Sequence, residues 1–218
     1  MTEPLLGFLT ITANPRYGFI GGYLVLNTAG RPVEFHCTTP VRATRAQEIL
    51  YGTTLQPFLC GEQITTALIQ RSKTVPSLFL TDIPVVLAAQ KLIEVPISYI
   101  FARHVSTKFA NTTNFTNTAN FENHEKKHEI KVAQLSPEEE PTVSTDDSAE
   151  FWGESLFGVD LRNWKVTKIR HQQIAIPNLP KSPRIEIISR LDIFSAMFDL
   201  LEPFERIRLA LEEAQRAA

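Results

Sequence analysis

Five residues near the middle of the chain, His124-Glu125-Lys126-Lys127-His128, satisfy the H-E-x-x-H spacing. On a helix that spacing sets two imidazoles on one face to ligate zinc, with the glutamate as general base. The chemistry needs a rigid, partly buried helix and a third ligand. The flanks, Asn-Phe-Glu-Asn and Glu-Ile-Lys-Val, belong to a polar stretch that supplies neither. Two adjacent lysines would also place uncompensated charge beside a shielded cation. The match is read as solvated chain, and neither a metal nor a cofactor is expected.

Tyr23, Glu34 and His36 form a second constellation. A carboxylate beside an imidazole is the minimum for general acid–base work, and a tyrosine adds a donor. No activated nucleophile accompanies them, so they read first as a contact or ligand surface and second as the centre of a small hydrolase. A third group, Arg162, Trp164, Lys165, Lys168 and Arg170 with His171, interleaves cations with an aromatic, as a strand tracking a nucleic-acid backbone would. Long cations on an exposed strand serve equally well to discourage edge pairing. Cys37 reads as a small buried hydrophobe, and Cys60 could meet His104 or His171 as a base only through the fold. Gly18, Gly21 and Gly22 are read as part of a turn between strands. A phosphate-cradling loop needs its glycines between a strand and a helix.

The elements that must position these residues begin with strands. Gly7–Thr12 and Gly22–Asn27 are rich in β-branched and aromatic residues, with a turn at Asn14–Gly18 between them. A second turn, Thr28–Pro32, leads into Val33–Thr39. Side chains alternate faces along a strand, so parity tests the register. An even-length turn pairs Leu26 with Val33, Leu24 with Phe35 and Gly22 with Cys37 on an apolar face. The same register sets Val25 opposite Glu34 and Tyr23 opposite His36 on the other face, which is expected to be solvated. Thr44 caps a short helix that turns Ala46, Ile49 and Leu50 inward and stops at Gly52. A second helix starts near Pro57 and buries Leu59, Ile64, Ala67 and Leu68. Ser77–Thr81 is a buried strand, Val85–Leu92 a short helix, Ile97–Ala102 a strand, and Trp164–Ile176 contains another. At the end, Ser189 or Asp192 caps a stripe of Phe194, Met197, Phe198 and Leu201. Pro203 kinks or restarts it, and Phe204, Ile207 and Leu211 continue. Arg206, Arg208 and Arg216 with the neighbouring glutamates read as a solvated face.

Charge divides the chain. Residues 1–108 carry nine Lys/Arg against six Asp/Glu, residues 109–150 three against nine, and residues 151–218 ten against nine. The middle segment is Asn/Thr-rich, then Pro-, Ser- and Glu-rich, and buries too little apolar surface to offset the entropy of ordering. The expected organisation is one α+β domain. Its antiparallel sheet is built on the N-terminal hairpin, with helices on one face and a kinked C-terminal helix. Residues 1–108 and 151–218 are its two parts, and 109–150 is a disordered acidic insertion. The net charge of −2 gives no global pull toward nucleic acid or anionic lipid. No run approaches the ~18 apolar residues that span a bilayer, and the N-terminus lacks a signal pattern, so the cytoplasm is expected. With no complete catalytic set, the expected function is a non-catalytic interaction or regulatory module. A protein partner or a homo-oligomer is open as its contact, and neither nucleic acid nor a membrane is expected.

Overall fold

The run Leu6-Gly7-Phe8-Leu9-Thr10-Ile11 holds one polar residue and no polar alternation, so its strand must be covered on both sides. That strand is the middle of the fold. The computed structural model describes residues 3–14, 16–101, 155–156, 159–160 and 163–216. The segment 109–150, with its acidic-insertion reading and its H-E-x-x-H match, lies outside them.

Strand β1 (Leu6–Asn14) pairs antiparallel with β2 (Gly18–Leu26), and β2 with β3 (Pro32–Cys37). Helix α1 (Arg45–Tyr51), a π-helical segment Pro57–Ile64 and α2 (Thr65–Arg71) then carry the chain across to β4 (Leu78–Thr81). Strand β4 lies parallel to β1, and β5 (Ile97–Ile100) parallel to β4. A short antiparallel pair, β6 (Ser155–Leu156) and β7 (Val159–Asp160), forms a separate two-stranded sheet. The hairpin of β8 (Trp164–Ile169) and β9 (Gln172–Pro177) joins the main sheet through β9 and β5. The sheet order is therefore β3-β2-β1-β4-β5-β9-β8. Helices α3 (Lys181–Met197) and α4 (Glu202–Arg216) complete the described fold.

The sheet is mixed and mostly antiparallel, which corrects the purely antiparallel expectation. The hairpin register is the even one: Gly22 opposes Cys37, Tyr23 opposes His36, Leu24 opposes Phe35 and Val25 opposes Glu34. A shift between Val25 and Leu26 then sets Leu26 opposite Pro32 instead of Val33.

Helices cover both faces of the sheet, which corrects the one-faced expectation. Leu6, Phe8, Leu24 and Leu26 pack with Leu191, Phe194, Phe204 and Ile207 of α3 and α4. Leu9, Ile11, Tyr23 and Val25 pack with Leu59, Ile64, Leu68 and Val86 on the other side. The face expected to be solvated is thus a second core. Phe35 and Val33, expected inside, are 39% and 48% exposed, because α4 lies over β1 and β2 and leaves the edge strand β3 open.

Helix α1 keeps its predicted Thr44 cap but buries none of its residues, so Ile49 and Leu50 face solvent. In the next helical stretch Leu59, Ile64 and Leu68 are buried while Ala67 is exposed. Helix α3 begins at Lys181, well before the predicted caps. Its buried residues Ile187, Leu191 and Phe194 set a helical stripe that continues through half-buried Phe198 and leaves Met197 exposed. The chain breaks at Phe198–Leu201 and restarts with Pro203 in the first turn of α4. Among the described residues no helix is long and apolar enough to cross a membrane.

Burial on both faces makes the two neighbours in β2 comparable. Leu24→Ala should cost about 2–5 kcal/mol and Val25→Ala about 2 kcal/mol, while half-exposed Phe35→Ala should cost no more than about 1 kcal/mol. Urea unfolding of the three variants measures this, and a loss at Phe35 as large as at Leu24 would contradict it.

Candidate functional site

Strands β1 and β4 are parallel neighbours, yet the chain leaves them in opposite directions. After β1 it turns back into β2 on one side, and after β4 it passes to β5 on the other. A crevice outside the carboxyl ends of two such strands is the standard ligand position in an open sheet. Asp82 lies there, immediately after β4. The Thr10 hydroxyl donates to its Oδ1 at 2.7 Å, and the Arg208 guanidinium from α4 donates to its Oδ2. Glu205, one turn earlier on α4, accepts from Arg208 Nη1 at 2.9 Å.

The side of β1 that faces α4 changes character at this point. Leu6 and Phe8 are apolar, whereas Thr10, Thr12 and Asn14 are polar at the same alternation. Asn14 reaches Gln215 near the end of α4. Burial pushes the Asp82 carboxyl up from its ordinary range, against the pull of Arg208 and the Thr10 hydroxyl. Tyr99 on β5 is pushed up to about 12, first by burial and then by the charge of Asp82.

The cluster was missed in the sequence. Its local signal is a charged residue directly behind an apolar run, at the carboxyl end of a buried strand. Arg208, read there as part of a solvated helix face, turns inward.

The hairpin constellation does assemble. The Tyr23 and His36 rings stack with centroids 6.3 Å apart, and His36 Nε2 lies 2.6 Å from Glu34 Oε1. Glu34 is the hub of this group. The Lys73 N–H donates to Oε1 at 2.9 Å, and the Thr74 N–H and Ser72 hydroxyl reach Oε2 at 3.0 and 2.8 Å. A carboxylate offers about four lone-pair sites, and each here has a partner. Partial desolvation would raise the Glu34 carboxyl, but these bonds, with Lys73 N–H the largest contributor, bring it down to about 2. His36 touches the carboxylate, and among the described residues it makes no hydrogen bond to the serine. Tyr23 is fully buried, its hydroxyl pushed up to about 12 by burial above all. This group clasps the chain after α2 to the edge strand.

The basic constellation is dispersed. Arg162 lies outside the described residues. Trp164 donates its indole N–H to Ile97 O at 3.2 Å and packs into the core, so its ring is no stacking platform. Lys165 and Lys168 are exposed but three residues apart, hence on opposite faces of β8. Arg170 sits in the β8–β9 turn and pairs with Asp192 at 3.2 Å. Cys37 is half-buried, and Cys60 is buried in the core, which pushes its thiol up to about 12.

No protein-family model matches the chain, and no curated protein matches it. Among solved structures it is similar to a variant of Ciona intestinalis endonuclease V in complex with a 23mer DNA containing an inosine followed by a ribo-adenosine. The identity is 10% and the TM-score 0.33, over 53% of this chain and 58% of that one. Against that neighbour two expectations are withdrawn: the non-catalytic interaction or regulatory module, and nucleic acid as an unexpected partner. At this TM-score the likeness assigns no activity to the chain.

Two measurements follow from the carboxylates. Arg208→Met should destabilise by about 3–5 kcal/mol because it strands a buried charge, and adding Asp82→Leu should recover most of that loss. An additive double-variant cycle would contradict the pairing. Glu34 has its folded pKa below the ordinary value, so its contribution is complete above pH 4.5 and is lost as pH falls toward about 2. The stability gap between the parent and Glu34→Gln should therefore shrink across that window. A gap independent of pH would refute the clasp.

Proposed function

We propose that the chain is a phosphodiester-binding protein that takes a nucleic-acid strand across the carboxyl ends of β1 and β4. The observation that carries this reading is the pair of buried Asp82 and half-buried Arg208 with Thr10, seated where the connections from two parallel strands diverge. A buried ion pair is a poor stabiliser, since well-packed apolar residues serve as well or better. Perturbed, partner-bound charges in a cleft are candidates for function. Arg208 offers the planar fork of donors that suits a phosphate.

A phosphate that draws the guanidinium away from Asp82 leaves a buried carboxylate whose proton affinity rises, with the Thr10 hydroxyl still donating to it. Asp82 is then the group that takes up a proton from solvent as the phosphate binds. Two-metal phosphodiester chemistry would need further carboxylates at this point. The neighbouring position on β1 holds Thr10, and α4 presents Arg208, to which its carboxylate Glu205 is itself bonded. The reading therefore rests on the guanidinium as the cation of the site.

Fluorescence anisotropy with labelled single-stranded and duplex oligonucleotides tests it across a salt series. Binding should weaken as salt rises. Asp82→Asn with Arg208→Gln, which leaves no stranded charge, should weaken it by about tenfold and lower the salt slope by about one. Lys165→Ala with Lys168→Ala should change affinity much less. Salt-independent binding, or a double variant that binds as tightly as the parent, would overturn the proposal.

A further inference from the structure

The turn between β8 and β9 has two central residues, Arg170 and His171, between the paired ends Ile169 and Gln172. Arg170 has φ 53, and among the described residues it is the non-glycine residue with positive φ. A two-residue hairpin with positive φ at its first central position alone matches the turn type in which glycine takes that position. An arginine there is strained where a glycine would not be. Strain that the surrounding structure must hold in place is a pointer to function.

The strained residue opens onto a cavity. Arg170, His171, Gln172, Ser195, Phe198, Asp199 and Leu201 line a space of about 330 Å³ where this turn meets the break between α3 and α4. None of these residues belongs to the Thr10–Asp82–Arg208 edge. We infer that this cavity is a binding site for a nucleoside monophosphate with N–H donors on its base edge, held by Arg170 at the phosphate and Asp199 at the base.

The lining divides into complementary parts. Arg170 uses Nε for Asp192, and its terminal nitrogens have no partner among the described residues. They are free to grip a phosphate bidentately. Phe198 and Leu201 give an apolar wall against which a planar base stacks. Asp199 Oδ1 is fixed by the Leu201 N–H at 3.0 Å and by the Gln172 amide. Its orientation is thereby set, and Oδ2 has no partner among the described residues. A carboxylate accepts from neighbouring N–H groups, so a guanine edge suits it better than an adenine edge. The Ser195 hydroxyl donates to Asp192 O at 3.0 Å, which leaves its oxygen to accept from a ribose hydroxyl. The volume lies at the lower end of small-ligand sites, which suits a mononucleotide.

Titration calorimetry of the full chain at low ionic strength tests this, with guanosine 5′-monophosphate, adenosine 5′-monophosphate, guanosine and inorganic phosphate as probes. Guanosine 5′-monophosphate should bind best, with guanosine and phosphate each at least about tenfold weaker, as loss of a charge-assisted bond requires. Arg170→Gly should stay folded, melt at or above the parent temperature and lose nucleotide affinity by about tenfold or more. Arg170→Lys should fall between the two, because a lysine lacks the planar fork. Asp199→Asn keeps the bond to the Leu201 N–H through its carbonyl oxygen and should erase the preference for guanine over adenine. Absence of nucleotide binding, equal affinity for guanosine and its phosphate, or an Arg170→Gly variant that binds like the parent would each overturn the site. A guanine preference that survives in Asp199→Asn would overturn the role of that carboxylate.

Discussion

Two consecutive glycines in the middle of β2 let a helix from each layer touch the same stretch of backbone. A Cβ at Gly21 would sit 2.3 Å from Ile64 Cγ2, and one at Gly22 would sit 2.2 Å from Ile207 Cγ2. Both distances are far inside contact, so either side chain would push its helix off the sheet. Glycine within a strand marks such a close approach. The consequence reaches the polar edge, because the residue after Ile207 is Arg208. Only with α4 seated directly on β2 does that guanidinium arrive at Asp82. The apolar contacts Phe204–Phe8, with ring centroids 5.5 Å apart, and Ile207–Gly22 thus fix where a charge is placed.

Two carboxylates in this fold show how environment sets chemistry. Glu34 sits at the edge strand among four donors, two of them backbone N–H groups on one loop, and is held well below its ordinary range. Every lone pair is occupied, so it fastens α2 to β3 and has nothing left to take a proton. Asp82 is buried among fewer partners, and desolvation outweighs them. The same functional group is driven in opposite directions, and only the second is left responsive to a ligand that competes for its cation.

The hairpin was legible because parity is a local property. Once Leu24 faced Phe35, Tyr23 had to face His36, and the structure has both pairs. Whether a face is solvated is not local. Tyr23, Glu34 and His36 looked like a wet surface, yet the Tyr23 ring is covered by the segment from Pro57 to Arg71, which packs there for reasons written in Leu59, Ile64 and Leu68. The run from Leu6 to Ile11 did carry the signal of two-sided burial, since it lacks a polar alternation. Asp82 and Arg208 were harder. They are 126 positions apart, and each alone reads as an ordinary turn or helix-surface residue. Only the crossing of β4 beside β1 and the seating of α4 make them partners.

The pair also selects the register of α4. Its buried residues Phe204, Ile207 and Leu211 recur at helical spacing, and an apolar stripe of that kind tolerates a slide of one turn better than a charge does. Slid one way, α4 would bring Phe204 opposite Asp82 and leave a buried carboxylate uncompensated, which is strongly unfavourable. Slid the other way, it would bring Glu212 there and set two like charges together. The observed register alone offers a guanidinium. A ligand phosphate that competes for Arg208 therefore loosens the contact that holds the helix in place. In the proposed function, binding at the sheet edge and the position of α4 are coupled through one residue.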